Sequence, residues 1–370
     1  MTTNSEHVDP DFPLRIEERK GRGALTNPDG RFERHTRRNF DDGWDENDDA
    51  VSALRTTVTT ETPRQIISRN NSPDIPFDQS VNPYRGCEHG CIYCYARPTH
   101  SYMGLSAGLD FESRLFAKPD TARLLRRELA LPGYRVSPIA LGSNTDPYQP
   151  IERRYRLTRE VLEVLATHRH PVVIVTKSAL VERDLDVLTD LARDRLVAVY
   201  ISIATLDRQL TRVLEPRAAA PQRRLETVAR LAAANVPVGV LVAPVIPALT
   251  DDAMENVLTQ AAAAGATQST YILLRLPHDV SLLFQQWLHR HFPDRAEHVM
   301  SLVRQSRGGR DNDPGFGSRM RGEGAYAAML AQRFKLACRR TGLNARQIEL
   351  DHSKFRVPHV GSQLNLFASP

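Results

Sequence analysis

The sequence is poor in cysteine and lysine, and it contains no long uninterrupted hydrophobic run. Its longest apolar stretch, residues 236–249, is interrupted by three prolines and is shorter than the roughly 18 residues that a membrane helix needs. The N-terminal residues also lack the apolar segment of a secretory signal. These absences argue against a membrane or secreted protein and predict a soluble cytoplasmic one without a membrane partner.

The four cysteines are too few for a disulfide framework in a chain without a secretory signal. Three of them, Cys87, Cys91 and Cys94, are clustered, whereas Cys338 is far away in the sequence. The chain also has no GxxxxGK[ST] phosphate loop, which argues against nucleotide hydrolysis by that route. The sequence therefore points to metal or thiol chemistry at the cysteine cluster.

Charge is unevenly distributed along the chain, although the formal net charge is only +5. Residues 1–60 carry an acidic excess, whereas residues 301–360 carry a basic excess that is almost entirely arginine. A basic face attracts nucleic acid by neutralising phosphates, but an ordinary solvated surface has the same composition. Composition alone leaves both interpretations open.

The length of 370 residues predicts one large domain with appended segments. Residues 1–75 are rich in turn formers and charges, which predicts a partly irregular N-terminal extension. Residues 306–351 combine a Gly/Arg-rich loop with a final helix over about 324–341. Residues 352–370 form a tail that proline and glycine interrupt.

From about residue 80 onward, short apolar runs alternate with helical patterns. The runs predict strands over residues 110–117, 136–142, 172–176, 197–204, 236–242 and 271–276. Helices are predicted after Pro119 and over residues 181–194 and 221–234, with Ser178 placed to cap the second of these three. This alternation predicts an α/β fold with a parallel sheet, open or closed into a barrel, and with its chemistry at the carboxyl ends of the strands.

The clustered cysteines lie in SVNPYRGCEHGCIYCYARPTH, with the spacing Cys-x3-Cys-x2-Cys and Tyr93 directly before the last cysteine. Thiolates are soft ligands that suit iron–sulfur clusters, zinc or copper(I), and a fully protein-held four-iron cluster uses four of them. Three thiolates would leave one iron open to a ligand that is not protein. Gly86 and Gly90 would let the loop wrap tightly around a bulky cluster.

Two other kinds of site fit the same cysteines. His89 or His100 could complete a zinc site with three cysteines, although structural zinc usually pairs two Cys-x2-Cys units and no second unit exists. Cys91 and Cys94 could also form a redox pair. The spacing favours the iron–sulfur cluster without excluding these alternatives.

The three-cysteine loop with an aromatic residue before its last cysteine resembles the signature of the radical S-adenosylmethionine (SAM) superfamily. Further segments are similar to the branch that includes spore photoproduct lyase, often called DNA-repair-photolyase-like. These segments are NPYRGCEHGCIYCYAR, LGSNTDPYQPIE, TKSALVERDLDVL, ISIATLD, LEPRAAAPQRRLETVARL and LVAPVIPALTD. The resemblance covers about residues 75–345.

The resemblance implies a partial (β/α)6 TIM-like barrel over residues 76–305, with the cluster loop at 87–94 after the first strand. Cys87, Cys91 and Cys94 would hold a [4Fe–4S] cluster whose open iron chelates the amino and carboxylate groups of S-adenosylmethionine. One electron from a donor such as flavodoxin or ferredoxin would release methionine and a 5′-deoxyadenosyl radical, which abstracts a substrate hydrogen.

The resemblance and the strand-end positions together indicate where the cofactor would bind. Tyr93 would pack near the adenine, and Lys177 would bind the carboxylate of S-adenosylmethionine. Ordinary core packing of the ring and backbone capping by the hydroxyls are the alternatives. The full set of candidate cofactor-binding residues is Tyr93, Ser143, Asn144, Thr145, Lys177 and Ser202.

The chain departs from spore photoproduct lyase in one respect. That enzyme's pattern places a hydrogen-donating cysteine near the strand corresponding to LGSNTDPY, and no cysteine is present there. Tyr84, Tyr95 or Tyr148 could return a hydrogen atom instead. The departure argues against reversal of spore photoproduct itself, and no catalytic residue is assigned.

The C-terminal tail contains QLNLF, which closely resembles the pentapeptide by which bacterial repair and replication proteins bind the sliding clamp. Gln363 would supply hydrogen bonds, and Leu364, Leu366 and Phe367 would enter an apolar pocket of the clamp. Alternatively, these apolar residues fold back onto the barrel. Clamp binding favours DNA as a partner.

The sequence is compatible with three functions. The first is a radical enzyme acting on nucleic acid, in DNA repair or modification, with Arg275, Arg319 and Arg321 meeting phosphates, together with Arg307 and Arg310. The second is a radical enzyme with a protein, tRNA or small-molecule substrate. The third is a non-catalytic iron–sulfur module docked on the sliding clamp.

Overall fold

The computed structural model describes residues 19–32 and 54–358. The strands of this part of the chain are β1 (Thr57–Thr60), β2 (Ile67–Arg69), β3 (Gln79–Val81), β4 (Tyr84–Arg85), β5 (Arg114–Ala117), β6 (Ile139–Leu141), β7 (Val172–Thr176), β8 (Val197–Ser202), β9 (Val238–Val245) and β10 (Gln268–Leu273). They form a seven-stranded sheet in the order β10-β9-β8-β7-β6-β3-β2 and a small sheet in the order β1-β5-β4.

Six strands of the larger sheet are parallel to their neighbours and follow one another in chain order from β3 to β10. The added strand β2 runs antiparallel to β3 at one edge. Parallel strands in chain order that are joined by helices form the architecture of a partial (β/α)6 barrel. The α/β prediction is therefore confirmed, and the carboxyl ends of these six strands lie at one end of the sheet.

Helices connect most of the strands. The α-helices are α1 (Leu109–Ser113), α2 (Thr121–Leu129), α3 (Glu152–Tyr155), α4 (Leu157–Thr167), α5 (Leu185–Arg193), α6 (Arg208–Leu214), α7 (Pro221–Ala233), α8 (Met254–Ala263), α9 (Asp279–His291), α10 (Ala296–Gln305), α11 (Ser318–Arg321) and α12 (Gly324–Thr341). Short 3-10 turns cover Arg97–Met103, Ala179–Asp184, Asp251–Ala253 and Pro293–Arg295. No helix of residues 19–32 and 54–358 is both long and apolar enough to cross a bilayer.

Local sequence accounts for the elements that flank the site. The β-branched run of β7 buries alternate side chains, as a strand packed between helices requires. Helix α7 begins at Pro221, where a missing amide hydrogen costs nothing, and it buries Leu225, Val228 and Leu231 on one face. The Ser178 hydroxyl accepts a hydrogen bond from the Leu180 amide (3.2 Å), so Ser178 caps the 3-10 turn Ala179–Asp184 that precedes α5, and not the α-helix itself as predicted.

One prediction about local structure was wrong in part. Residues 110–117 form helix α1 and then strand β5, because a short apolar run does not distinguish a buried helical turn from a strand. Within the predicted extension 1–75, residues 57–60 and 67–69 add strands to the sheets. Residues 22–26 are buried against the rest of the protein.

Candidate cluster and cofactor site

The three clustered cysteines lie on the loop that follows β4. Cys87 and Cys91 are buried, Cys94 is partly buried, and all three are free thiols. The loop is fixed by its backbone: the Cys87 amide donates to the Phe111 carbonyl (3.0 Å), and the Cys94 amide donates to the Cys91 carbonyl (3.2 Å). The predicted loop is therefore a compact structure with its thiols enclosed.

Gly86 and Gly90 are required by the shape of this loop. Both have positive φ angles, of 72° and 67°. A Cβ atom at Gly86 would lie 2.6 Å from a methyl carbon of Leu115, and one at Gly90 would lie 2.8 Å from Oε2 of Glu112. Both glycines are therefore needed for the tight path of this loop.

Burial raises the pKa of all three thiols, and that of Cys91 rises to about 12. For Cys91, the nearby Glu215 carboxylate adds to the effect of burial, and Lys177 opposes it. Enclosed thiols with raised pKa values are protonated without a metal, and metal ions replace those protons when they bind. This soft donor set therefore fits a thiolate-bound iron–sulfur cluster.

The zinc alternative has less support. Among the described residues, no group of three or more His, Cys, Asp or Glu side chains is arranged to hold a single metal ion. His89 Nδ1 lies 3.3 Å from a carboxylate oxygen of Asp146, and His100 Nε2 lies within hydrogen-bond distance (3.0 Å) of the Arg114 carbonyl. An iron–sulfur cluster, in which each thiolate binds a different iron, needs no such convergence on one point.

Five side chains meet beside Cys91, and we call them the Glu215 network: Tyr93, Lys177, Ser202, Glu215 and Arg224. The Tyr93 hydroxyl donates a hydrogen bond to the Glu215 carboxylate, which also accepts one from the Arg224 guanidinium. Lys177 Nζ donates to Ser202 Oγ (3.1 Å) and lies 5.8 Å from the Tyr93 ring centroid. Three of the candidate cofactor-binding residues are thus brought together next to one cysteine.

Lys177 is the chemically distinctive member of this network. Burial disfavours its charged form, but Cys91 and Glu215 outweigh burial and raise the pKa of its ammonium group. An ammonium group has three donors, and within the described residues only the bond to Ser202 uses one of them. The remaining donors suit an anionic ligand such as a carboxylate.

Asp146 joins the ends of two neighbouring strands. Its carboxylate accepts hydrogen bonds from the Thr176 hydroxyl (2.7 Å) and from the Lys177 amide (2.8 Å). Although burial opposes ionisation, His89 and these two donors lower the pKa of Asp146 to about 2. Asp146 therefore fixes the backbone of Lys177.

The remaining candidates, Ser143, Asn144 and Thr145, follow β6 at its carboxyl end. The carbonyl of Ser143 accepts a hydrogen bond from the Tyr95 hydroxyl, and the Asn144 amide donates to Asn82 Oδ1 (3.1 Å). The Asn144 side chain makes no hydrogen bond with the described residues, so its carboxamide group is available to a ligand. These contacts tie the end of β6 to the residues that precede and follow the three cysteines.

Sequence reasoning missed a second buried cluster of charges against the same loop. We call it the Glu112 network: Arg22, Gly23, Ala24, Arg97 and Glu112. Arg97 is fully buried, pairs with Glu112 and donates from Nε to the Cys91 carbonyl (2.9 Å). Glu112 also accepts from the Gly23 and Ala24 amides, at 2.9 Å each. No motif marks these residues, and only the glycines of GRGALTNPDG hinted at a close backbone approach.

The predicted substrate-binding arginines have different surroundings. Arg275 lies 5.8 Å from the Tyr95 ring centroid, and its Nε is buried without a hydrogen-bond partner. Arg319 pairs with Asp74 (2.7 Å). Arg321 lies over the Tyr271 ring, with 4.0 Å between its guanidinium carbon and the centroid.

Arg307 is engaged within the protein. Its guanidinium donates to the carbonyls of Ser318 and Arg319 and to those of Leu273 and Leu274, at 2.8–3.1 Å. It thereby holds the Gly/Arg-rich loop against the end of β10.

The clamp-like motif, Gln363, Leu364, Leu366 and Phe367, lies outside the described residues.

Comparison with known proteins identifies the family. Residues 81–261 match the model of the radical SAM superfamily. Uncharacterized protein Rv2578c of Mycobacterium tuberculosis is 40% identical over 237 residues, which are 64% of this chain and 70% of that protein. Uncharacterized protein MJ0683 of Methanocaldococcus jannaschii is 26% identical over 220 residues, or 59% and 77% of the two chains.

Solved structures of spore photoproduct lyase share the fold. The complex with dinucleoside spore photoproduct has a TM-score of 0.55 and 16% identity, and it covers 77% of this chain and 80% of that one. A mutant with bound AdoMet and the same dinucleoside gives the same values. Radical SAM proteins use a [4Fe–4S] cluster and S-adenosylmethionine. The thiols of Cys87, Cys91 and Cys94 fit such a cluster. The chain is therefore a radical SAM enzyme and belongs to the radical SAM superfamily.

Proposed function

We propose that this radical SAM enzyme acts on nucleic acid, in the repair or modification of DNA. Arg275 carries the proposal: it follows the last parallel strand, contacts Tyr95 next to Cys94, and forms no ion pair with any described carboxylate. Burial and the neighbouring Arg319 lower the pKa of its guanidinium, which still remains protonated at neutral pH. A partly buried cation beside the cluster loop, with no described carboxylate within ion-pair distance, favours an anionic substrate group such as a phosphate.

Exposed aromatic rings next to arginines support the same substrate class. The Tyr95 side chain is 50% exposed beside Arg275, and Phe316 is 62% exposed with the Arg319 guanidinium carbon 4.7 Å from its centroid. Nucleobases stack on such rings while arginines meet the phosphates. The similar fold of spore photoproduct lyase, crystallised with a dinucleoside photoproduct, adds support.

The Glu215 network has a defined part in this proposal. When bound, the reduced cluster supplies the electron that cleaves S-adenosylmethionine into methionine and the 5′-deoxyadenosyl radical. Lys177 binds the methionine carboxylate, Tyr93 packs beside the adenine, and Ser202 orients Lys177. Ser143, Asn144 and Thr145 border the nucleoside. The buried side chains around them exclude water from the reacting atoms.

The first test separates the chemistry from the substrate. Protein reconstituted anaerobically and reduced with dithionite is incubated with S-adenosylmethionine, with and without damaged or modified DNA, and 5′-deoxyadenosine is quantified. We expect DNA to increase its release, and Cys91→Ala to abolish it. Stimulation by proteins, tRNA or metabolites but not by DNA would overturn the nucleic-acid proposal and leave the radical chemistry intact.

The second test measures DNA binding by Arg275. Because a phosphate contact releases about one counterion, Arg275→Gln should lower the slope of log K against log salt by roughly one. Arg212→Gln, which removes an exposed arginine of α6, is the matched control and should leave the slope unchanged. Undetectable DNA binding at low salt would contradict the proposal.

Two protein partners belong to the same proposal. The clamp-like tail, residues 363–367, would bind the bacterial sliding clamp, and Leu366→Ala with Phe367→Ala should abolish clamp binding in surface plasmon resonance. Retained binding by that double variant would exclude the motif. Neither substitution should change release of 5′-deoxyadenosine.

An acidic electron carrier such as flavodoxin or ferredoxin would reduce the cluster. A cavity of about 410 Å³ beside His89, lined in part by Arg153, Arg217 and Arg223, offers it a basic surface near the cysteines. Reduction by flavodoxin should slow as salt is raised, and more strongly for the native chain than for Arg153→Gln. A salt-independent rate would place the donor elsewhere.

A further inference from the structure

Residues 22–28, which we call the strap, lie against the cluster loop although almost 60 residues separate the two segments in sequence. The contact is made by backbone. A Cβ atom at Gly23 would lie 1.9 Å from the carbonyl oxygen of Gly90, so no other residue fits there without displacing one of the two segments. Gly23 does not have a positive φ angle, and the requirement for glycine is therefore one of space.

The strap is held along its whole length. Arg22 donates to the Leu54 carbonyl (2.6 Å) and to Thr56 Oγ1 (3.0 Å), and that hydroxyl donates to Glu88 inside the cluster loop (2.6 Å). Asn27 Oδ1 accepts from the Asp110 amide (3.0 Å). Ala24 is fully buried in the same apolar cluster as Cys91, Ile92 and Tyr93. These hydrogen bonds and this burial show that the strap is packed firmly against the cluster loop.

A short chain of bonds leads from the strap to a cysteine. The Gly23 and Ala24 amides bind the two oxygens of Glu112, Glu112 pairs with Arg97, and Arg97 donates to the Cys91 carbonyl. Burial and hydrogen bonding around a thiolate-bound cluster set its potential and its access to solvent. A change in the strap will therefore reach the cluster without touching a ligand.

We propose that the strap is part of the cluster site: it closes the loop against water and oxygen and positions Cys91 through Glu112 and Arg97. The strap residues contact no reacting atom, so they are positioning residues. The inference concerns the cluster and holds whichever substrate the enzyme has.

Gly23→Val in the full-length chain tests the proposal. Anaerobically reconstituted protein is assayed for iron and sulfide, for the EPR spectrum of the reduced cluster, and for loss of visible absorbance in air. We expect bleaching on the order of tenfold faster than in the native chain, a lower iron content and an altered EPR signal, as for changes in the outer shell of other metal sites. Circular dichroism should show an intact α/β fold.

Arg31→Ala is the matched control, because Arg31 is an exposed cation of the same segment that lies over the exposed Phe32 ring. It should behave as the native chain does. If Gly23→Val fails to fold, Gly23→Ala provides the same readouts with one methyl group. Native iron content, EPR signal and bleaching rate in the variant that folds would overturn the proposal.

Discussion

Two buried arginine–glutamate pairs contact the cluster loop, and they differ in the hydrogen-bond donors around them. The pair Arg97–Glu112 is fully buried, and Arg97 also donates to three backbone carbonyls. The side chains of Arg224 and Glu215 are each 1% exposed, but this pair adjoins Lys177, whose ammonium group has donors without a partner among the described residues. The Glu112 network is thus complete within the protein, whereas the Glu215 network has capacity for a ligand.

The partners of the two glutamates differ in the same way. Glu112 faces the rigid backbone amides of Gly23 and Ala24, which can only donate. Glu215 faces the Tyr93 hydroxyl, which can rotate and act as donor or acceptor. The fixed partners of Glu112 suit a contact that only stabilises the fold. The adaptable partner of Glu215 suits a site whose charge changes when a cofactor binds.

The largest effect should separate Glu112→Gln from Glu215→Gln. Both remove a buried charge, but the new amide at position 112 places a donor against a backbone donor, whereas Tyr93 can turn to accept from the new amide at position 215. We expect Glu112→Gln to lower the free energy of unfolding by about 1–3 kcal/mol more than Glu215→Gln does. Urea unfolding of the two variants measures the difference.

Glu226→Ala serves as control for these two substitutions, because its carboxylate lies at the surface, 3.9 Å from Arg223. It should leave the urea midpoint unchanged. A smaller loss for Glu112→Gln than for Glu215→Gln would reverse the assignment of the structural and ligand-binding networks.

The next effect concerns ligand binding alone. Lys177→Met keeps the length of the side chain and removes its charge, so the carboxylate of S-adenosylmethionine would lose a charged hydrogen bond. Because such a bond contributes about 1.5–3 kcal/mol, affinity should fall by roughly 10–100-fold. Calorimetric titration of the cluster-loaded protein measures it.

Cluster content provides the internal control for Lys177→Met. It should match the native chain, since Lys177 binds no described cysteine and its bond to Ser202 is replaceable by packing. Unchanged affinity for S-adenosylmethionine would show that the free donors of Lys177 serve another group.

The smallest effect should arise at the edge of the Glu112 network. Thr56→Val keeps the shape of the side chain but removes the hydroxyl that links Arg22 to Glu88. We expect a loss of about 1 kcal/mol in unfolding free energy and somewhat faster bleaching of the cluster in air. A variant as stable and as air-resistant as the native chain would limit the strap's influence to Gly23 and Ala24.

Sequence patterns located the Glu215 network better than the Glu112 network. Lys177 and Ser202 directly end or follow apolar strands, and parallel strands present their carboxyl ends together, so their meeting was foreseeable. The predicted strand 172–176 is confirmed residue for residue, as is the final helix over 324–341.

The Glu112 network escaped prediction for physical reasons. Glu112 lies in a segment whose apolar content favoured a strand, and Arg97 lies in a 3-10 turn without periodicity. Their union depends on Gly23, a residue in a stretch dominated by turn formers and charges. This contact joins segments that are distant in sequence and is made mostly by backbone atoms. Patterns of side-chain type therefore give almost no indication of it.

The close approach of Gly23 to Gly90 has a practical consequence for work with shortened chains. A fragment that begins at the first barrel strand would retain all three cysteines and every strand of the parallel sheet, yet would leave two acceptor positions of Glu112 open to water. Such a fragment would bind iron, but the EPR spectrum of its cluster and the lifetime of that cluster in air would differ from those of the full-length protein. Shortened forms of this protein should therefore begin before Arg19 rather than at the cysteine segment.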